Sequence, residues 1–240
     1  MIPLDKGKYT VTRAETAADL SAAFSLRGLC FGVAGGASDR FDDTSEHVLV
    51  RAKSNGAPVA TFRTAVYVGA GVANSYAAQY YDIERLYAFE GPMLELGRFC
   101  IHPAHRDPDI ARIAWASLTA FVDKTGVQML FGCSSFAGTC AAPYLDAFAL
   151  LRARHLGPAR WQPAIKAGEV FRYGEDVRTK PDLARANGAM PPLLRTYLMM
   201  GGWVSDHAVV DREMNTLHVF TALETGAIPA TRKKLLRALV

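Results

Sequence analysis

No run of about 18 apolar residues occurs in this 240-residue chain, so no membrane-spanning helix is expected. The opening MIPLDKGKYT places no basic segment ahead of an apolar one, and no secretory leader is expected. Cysteine is scarce: Cys30, Cys100, Cys133 and Cys140 stand singly in or beside apolar runs, without a C-x-x-C pair. That excludes a disulfide framework and a thiolate zinc site, and it points to free thiols in a reducing compartment. The six histidines are scattered too, so no metal site is expected. The net charge of +4 is too small and too dispersed for nucleic-acid binding. It remains compatible with an acidic protein partner or an anionic membrane surface. Internal repeats and low-complexity segments are absent as well.

Half of the residues are hydrophobic, enough for a sizeable core. Residues 8–13 alternate as a strand, and 15–31 read as an amphipathic helix. Two strands, 46–53 and 58–68, flank the Asn55-Gly56 dipeptide, a strong hairpin signal. The Tyr- and Ala-rich stretch 74–90 reads as partly helical. A strand over 93–102 is closed by Pro103; a helix then runs from Asp109 to Lys124, with Gly126 at its C-cap. A strand at 127–133, a helix at 142–155 and a strand at 169–173 follow. A polar loop spans 174–189, and Pro191-Pro192 opens a short helix. Strands at 207–211 and 217–223 and a basic helix at 231–239 complete the chain. This order predicts an α/β (α+β) fold with a central mixed sheet flanked by helices. The expected division is a core over 1–173 and a C-terminal extension over 174–240 that packs on it.

The most informative string is Leu94-Glu95-Leu96-Gly97-Arg98-Phe99-Cys100-Ile101. It carries a Glu and an Arg inside an apolar strand, and burying either charge is costly unless it is paired. A structural ion pair is one explanation. The other is a reactive site, because an isolated Gly in a strand marks a bulge whose released backbone groups can bind a substrate.

That string resembles the central strand of the bacterial L-ornithine Nα-acyltransferases, members of the GNAT superfamily, and is similar to that of the acyl-homoserine-lactone synthases. Further segments agree in order: Leu26-Arg27 to Phe31, Asp39 to Asp42, Ala60-Thr61-Phe62-Arg63, Leu130 to Thr139, Pro191 to Leu194, and Asp211 to Thr216. The resemblance covers about residues 8–223. It implies a GNAT fold, a (3-hydroxy)acyl donor carried on the phosphopantetheine arm of acyl carrier protein, and the α-amine of ornithine as acceptor. The product would be a lyso-ornithine lipid, with no bound cofactor. One departure bears on the donor. The glycine-rich pyrophosphate loop of CoA-dependent GNAT enzymes is replaced by Arg106-Asp107-Pro108-Asp109-Ile110-Ala111, whose two acids would repel a diphosphate. That favours carrier protein over CoA.

Amide formation needs a neutral amine, a polarised carbonyl and an oxyanion site. Glu95 is the candidate base, with partial burial expected to raise its pKa. Backbone N–H groups beside Gly97–Cys100 are candidates for the oxyanion. The acceptor's carboxylate calls for a guanidinium fork, and Arg27, Arg63 and Arg98 are the candidates. Asp39 and Asp42 are expected to receive a cationic side chain. Phe99, Cys100, Ile101, Arg106 and Ser135 fall where the family's acyl–phosphopantetheine arm would lie. His102, His105 and His207 lack a nucleophile partner, so covalent catalysis is not expected. Arg152, Arg154, His155, Arg160 and Lys166 form one basic cluster. Arg232, Lys233, Lys234 and Arg237 form another, interleaved with Leu235, Leu236 and Leu239. Either suits the acidic carrier or an anionic membrane, giving a cytoplasmic protein with peripheral contact at the inner membrane face. Three other readings stay open: glutamine as acceptor, an acyl-homoserine-lactone synthase, and a non-catalytic GNAT binding module.

Overall fold

Local signals place the element ends. In the computed structural model, which describes residues 1–33 and 38–238, the chain begins with β1 (Leu4–Lys6) and β2 (Tyr9–Arg13). α1 (Ala17–Phe31) starts at Thr16, whose hydroxyl accepts from the Asp19 amide while the Asp19 carboxylate accepts from the Thr16 amide. This reciprocal capping box satisfies two amides that the helix leaves without partners. β3 (Glu46–Ala52) and β4 (Pro58–Tyr67) form the hairpin expected at Asn55-Gly56. β5 (Tyr81–Asp82) and β6 (Met93–Ile101) follow.

α2 (Pro108–Thr125) begins with Asp107 as N-cap and a proline in its first turn, and ends at Gly126 in the left-handed conformation. Next come β7 (Met129–Ala137), α3 (Leu145–Arg154), β8 (Ala164–Ile165) and β9 (Val170–Phe171). α4 (Tyr173–Asp176), α5 (Leu183–Ala189) and α6 (Pro192–Met199) lead to β10 (Trp203–Asp211), β11 (Thr216–Glu224) and α7 (Ala230–Arg237).

Two expectations change. The stretch 74–90 is three short 3-10 segments around β5 rather than an α-helix. The polar loop at 174–189 contains α4 and α5; Asp182 caps α5 by accepting from the Ala184 and Arg185 amides. That cap signal lay in the sequence, hidden by the polar composition around it. The expected end of the last helix at Leu239 lies outside the described residues.

The chain divides into two compact units. The first comprises Met1–Val66, Leu96–Val127 and Pro229–Val240. Its strands run in the order β1-β2-β3-β4-β6, with β1 to β4 antiparallel in succession. Ala14, Ala23 and Leu49 form a small core patch where α1 meets β3. α7 lies on α2, where Arg237 makes two 2.8 Å hydrogen bonds to Asp123.

The second unit comprises Tyr67–Glu95 and Gln128–Ile228. Its sheet runs β6-β7-β11-β10-β9, and β5 pairs with β8 separately. β6 is parallel to β7 over Met93–Glu95 and Met129–Phe131, whereas β7, β11 and β10 are antiparallel. One core cluster packs Phe136, Phe148, Tyr173 and Leu194 together; another packs Tyr81, Phe131, Trp203 and Phe220. β6 thus gives its first residues to one unit and its last to the other.

The Thr16 cap generates a simple test. Thr16→Ala is expected to lower stability by about 1 kcal/mol, read as a shift in the urea midpoint with an unchanged slope.

Candidate active site

The first unit gathers five charged side chains expected from the sequence. Arg27 on α1 is fully buried, with a relative exposure of 0 %, and Arg63 on β4 is at 3 %. Arg27 Nη1 donates to Asp42 Oδ1 at 2.6 Å. Arg63 Nη1 donates to Asp42 Oδ1 and to Asp39 Oδ1, both at 2.6 Å, and its Nη2 donates to Asp39 Oδ2 at 2.9 Å. Arg98 Nη2 donates to Asp39 Oδ2 at 2.7 Å. Backbone amides add to this: Asp39 N–H donates to the Asp42 carboxylate, and Phe41 N–H donates to the Asp39 carboxylate. The result is a chain of alternating charge, Arg27–Asp42–Arg63–Asp39–Arg98.

The backbone makes room for it. A Cβ on Gly97 would stand 3.3 Å from Arg63 Nε, so glycine lets the Arg63 side chain lie against β6. The expected irregularity in this strand is found one residue later. Arg98, not Gly97, takes a positive φ of 54°. A left-handed conformation is uncommon for a residue with a Cβ and is held in place by its surroundings.

The protonation states follow from the pairing. Burial alone would raise Asp39, but Arg63 and Arg98 outweigh it and bring it down to about 2. Asp42 is lowered as well: burial is opposed by the Asp39 amide, Arg27 and Arg63. The chain brings three guanidinium groups together with two carboxylates, and both aspartates, expected to receive a cationic side chain, are paired here with arginines.

A sixth member was missed. His47 on β3 lies opposite Arg63 in the β3–β4 register, and its Nδ1 is 2.8 Å from Arg27 Nη2. The signal was available, since a hairpin centred on Asn55 pairs residue 47 with residue 63.

Glu95 belongs to the second unit and is 6 % exposed. Its carboxylate accepts from the Tyr76 amide at 2.9 Å and the Ala77 amide at 2.8 Å, at the start of a 3-10 turn. The Tyr76 ring packs against Tyr80, and Tyr80 meets His218 edge-on at 4.8 Å. Burial holds the His218 imidazole down at about 4, so it is neutral at physiological pH. None of these aromatic and imidazole neighbours was singled out from the sequence, because the stretch 74–90 carries no clear period.

The other expected residues are placed as follows. In the first unit, Phe99 is half-buried and stacks on Phe62 at 5.6 Å. Cys100 is buried, and its neighbour Cys30, together with burial, pushes its thiol up. The Ile101 carbonyl accepts from the Cys30 thiol. Arg106 is exposed just ahead of α2. There the Asp107 carboxylate accepts from the Asp109 amide and the Tyr9 hydroxyl, so an anion already occupies the helix N-terminus. Ser135 is exposed on β7 of the second unit, opposite His218 in the β7–β11 register. The basic cluster after α3 is dispersed: Arg152 donates to the Gly174 carbonyl, Lys166 to the Ala78 carbonyl, and Arg160 pairs with Glu224. Among the described residues no helix is long and apolar enough to cross a membrane.

Comparison with known proteins agrees with the resemblance. Residues 32–116 match the acetyltransferase (GNAT) domain. The chain is 35% identical over 159 residues to the L-ornithine N(alpha)-acyltransferase of Rhodobacter capsulatus, covering 66% of this chain and 61% of that protein. It is 29% identical over 197 residues to the enzyme of the same name from Brucella abortus, covering 78% of this chain and 69% of that protein. The match thus spans less than two thirds of the Rhodobacter relative's length. Among solved structures, an N-acyl amino acid synthase from uncultured soil microbes superposes with a TM-score of 0.49 at 11% identity, covering 94% of this chain and 93% of that one.

The cluster makes two predictions. Asp42→Ala removes the carboxylate that pairs with the fully buried Arg27 and is expected to cost about 3–5 kcal/mol, measured by chemical denaturation. Asp39 lies below its ordinary 3.8, so its contribution is complete above that value and is lost as pH falls toward about 2. Asp39→Asn is expected to flatten the acid limb of the stability–pH curve over that window.

Proposed function

Starting from a chain that carries a GNAT domain, we propose that it is an N-acyltransferase that moves an acyl group from a phosphopantetheine thioester to the α-amine of ornithine. The observation that carries the reading is the Arg98 guanidinium at the end of a buried chain of three arginines and two aspartates. A carboxylate-bearing acceptor suits a guanidinium held in this way. Arg98 is the most exposed of the three arginines, at 12 % of its side chain, and is assigned the carboxylate contact. Arg63 and the fully buried Arg27 hold the two aspartates that set the position of Arg98. Ornithine as the amine is supported by the names of the relatives, with Asp39 and Asp42 proposed to lie near its cationic side chain.

In the proposed reaction the neutral α-amine attacks the thioester carbonyl carbon, the C–N bond forms and the C–S bond breaks. Glu95 accepts the ammonium proton, directly or through water, and the pantetheine leaves as thiolate. Two backbone amides tether the Glu95 carboxylate, which fixes its orientation. Backbone N–H groups of the irregular stretch Gly97–Cys100 are assigned the oxyanion. Carrier protein is favoured over CoA as donor by the Asp107 cap with Asp109 beside it, a poor seat for a diphosphate. Phe99, Cys100, Ile101, Arg106 and Ser135 remain the proposed neighbours of the acyl–pantetheine arm. The product would be a lyso-ornithine lipid. Peripheral contact with anionic lipid is supported by α7, where Arg232, Lys234 and Leu235 are exposed.

The test supplies purified protein with 3-hydroxyacyl carrier protein or the matching acyl-CoA, and with ornithine or glutamine, and reads the product by mass spectrometry. Acyl-ornithine formed from the carrier protein is the expected product. Acyl-glutamine would move the acceptor assignment, acyl-CoA as the better donor would overturn the loop argument, and no amide with any pair would sink the enzyme reading. Glu95→Gln is expected to lower kcat about 10²–10⁴-fold with the acceptor KM little changed. Arg98→Met is expected to raise the acceptor KM about 10–100-fold, the worth of one charge-assisted hydrogen bond.

A further inference from the structure

An imidazole lies against the buried chain of arginines and aspartates: His47, which is 4 % exposed. Its Nδ1 faces Arg27 Nη2 at 2.8 Å. A guanidinium nitrogen can only donate, so Nδ1 accepts and the imidazole proton sits on Nε2. Nε2 is 3.0 Å from the Asp42 carbonyl oxygen, which can only accept. Both partners therefore require the same neutral tautomer. The imidazole also packs edge-on against Phe24 of α1, whose ring lies under the Arg27 guanidinium.

We infer that His47 is a positioning residue for carboxylate binding: in its neutral Nε2–H form it fixes Arg27 on Asp42, and through Asp42 and Arg63 the chain that ends at Arg98. The inference rests on the reading of a carboxylate-bearing acceptor given above.

Protonation of His47 would remove the lone pair that receives Arg27 and add a positive charge beside Arg27 and Arg63. Burial lowers its pKa from the ordinary 6.5; the Asp42 carbonyl opposes this, and Arg27 and Arg63 add to the lowering. Protonation therefore falls below the usual histidine range. The charged groups facing the ring are Arg27 from α1, Arg63 from β4 and Asp42 from the segment before β3. Farther out, Arg13 of β2 pairs with Glu46 at 2.9 Å. Arg13, Asp43 and Glu46 border an open cavity of about 390 Å³ that also touches His47 and gives it a route to solvent protons. Asp39, already at about 2, does not titrate in the histidine range.

The linkage works in both directions. A bound carboxylate adds negative charge to the network and so raises the His47 pKa; protonated His47 weakens carboxylate binding by the same factor.

Two measurements test the inference. In the first, acceptor KM and kcat are followed from about pH 5 to pH 8 for wild type, His47→Asn and His47→Leu, with thermal unfolding as a fold control. Asn keeps an oxygen for Arg27 and does not titrate. Wild-type KM is expected to rise as pH falls below the histidine range, while the Asn variant stays level. The Leu variant is expected to show a KM raised about tenfold throughout, as loss of one charged hydrogen bond implies, with kcat nearly unchanged. The same acid rise in the Asn variant, or a wild-type KM in a folded Leu variant, overturns the inference; if Leu fails to fold, the Asn arm decides. In the second, ¹⁵N NMR of the His47 ring in the full chain is followed with and without ornithine. An Nε2–H tautomer and a pKa that moves up on adding ornithine are expected; the Nδ1–H tautomer, or a pKa blind to ornithine, sinks the idea. Because this readout needs no turnover, it separates failure of the His47 role from failure of the acyl-transfer reading.

Discussion

The burial of Arg27 governs the first unit. A guanidinium with no exposed surface must be paired, and its partner must be paired in turn. The requirement passes from Arg27 to Asp42, from Asp42 to Arg63, from Arg63 to Asp39, and ends at Arg98, the most exposed of the three arginines. Each link accounts for a local feature that would otherwise look arbitrary. Gly97 leaves room for Arg63; the left-handed backbone at Arg98 lies at the end of the chain; His47 closes the other end. The desolvation cost of five charges is large, and hydrophobic residues of similar volume would fill the space at lower cost. Retention of the charges is physically sensible if their geometry serves binding rather than stability.

Glu95 illustrates the same logic with different partners. Its buried carboxylate is met by the first amides of a 3-10 turn rather than by a cation. Two residues separate it from Arg98 along β6, and the two charges are met by different means: one by backbone dipoles, the other by an opposite charge.

Much of the fold was legible because it rests on local signals. The Asn55-Gly56 hairpin, the Gly126 cap and the strand closed by Pro103 are written in adjacent residues and appear where expected. The stretch 74–90 failed because its Tyr and Ala residues fit a helix, while the observed 3-10 turns are held by Glu95 from β6 and by core packing of Ala77 and Leu86. α5 was missed because its short apolar content hides among polar residues, although Asp182 announced it. At the candidate site, Arg27, Asp39, Asp42, Arg63 and Arg98 were singled out individually. What the sequence did not reveal was that they bind one another. They come from α1, the loop before β3, β4 and β6, and only tertiary register brings His47 and Arg63 together.

The arginine–aspartate chain also bears on how the protein reaches its native state. Its members come from positions as far apart as Asp39 and Arg98, so no hairpin or helix can assemble it early. A partial set would leave a buried ion without a counter-ion, which is costlier than leaving all of them in water. A slip of β4 or β6 by one residue would turn Arg63 or Arg98 to the other face and break the chain of pairs, so the network disfavours that register. Charge that is costly to bury thus acts as a check on strand register.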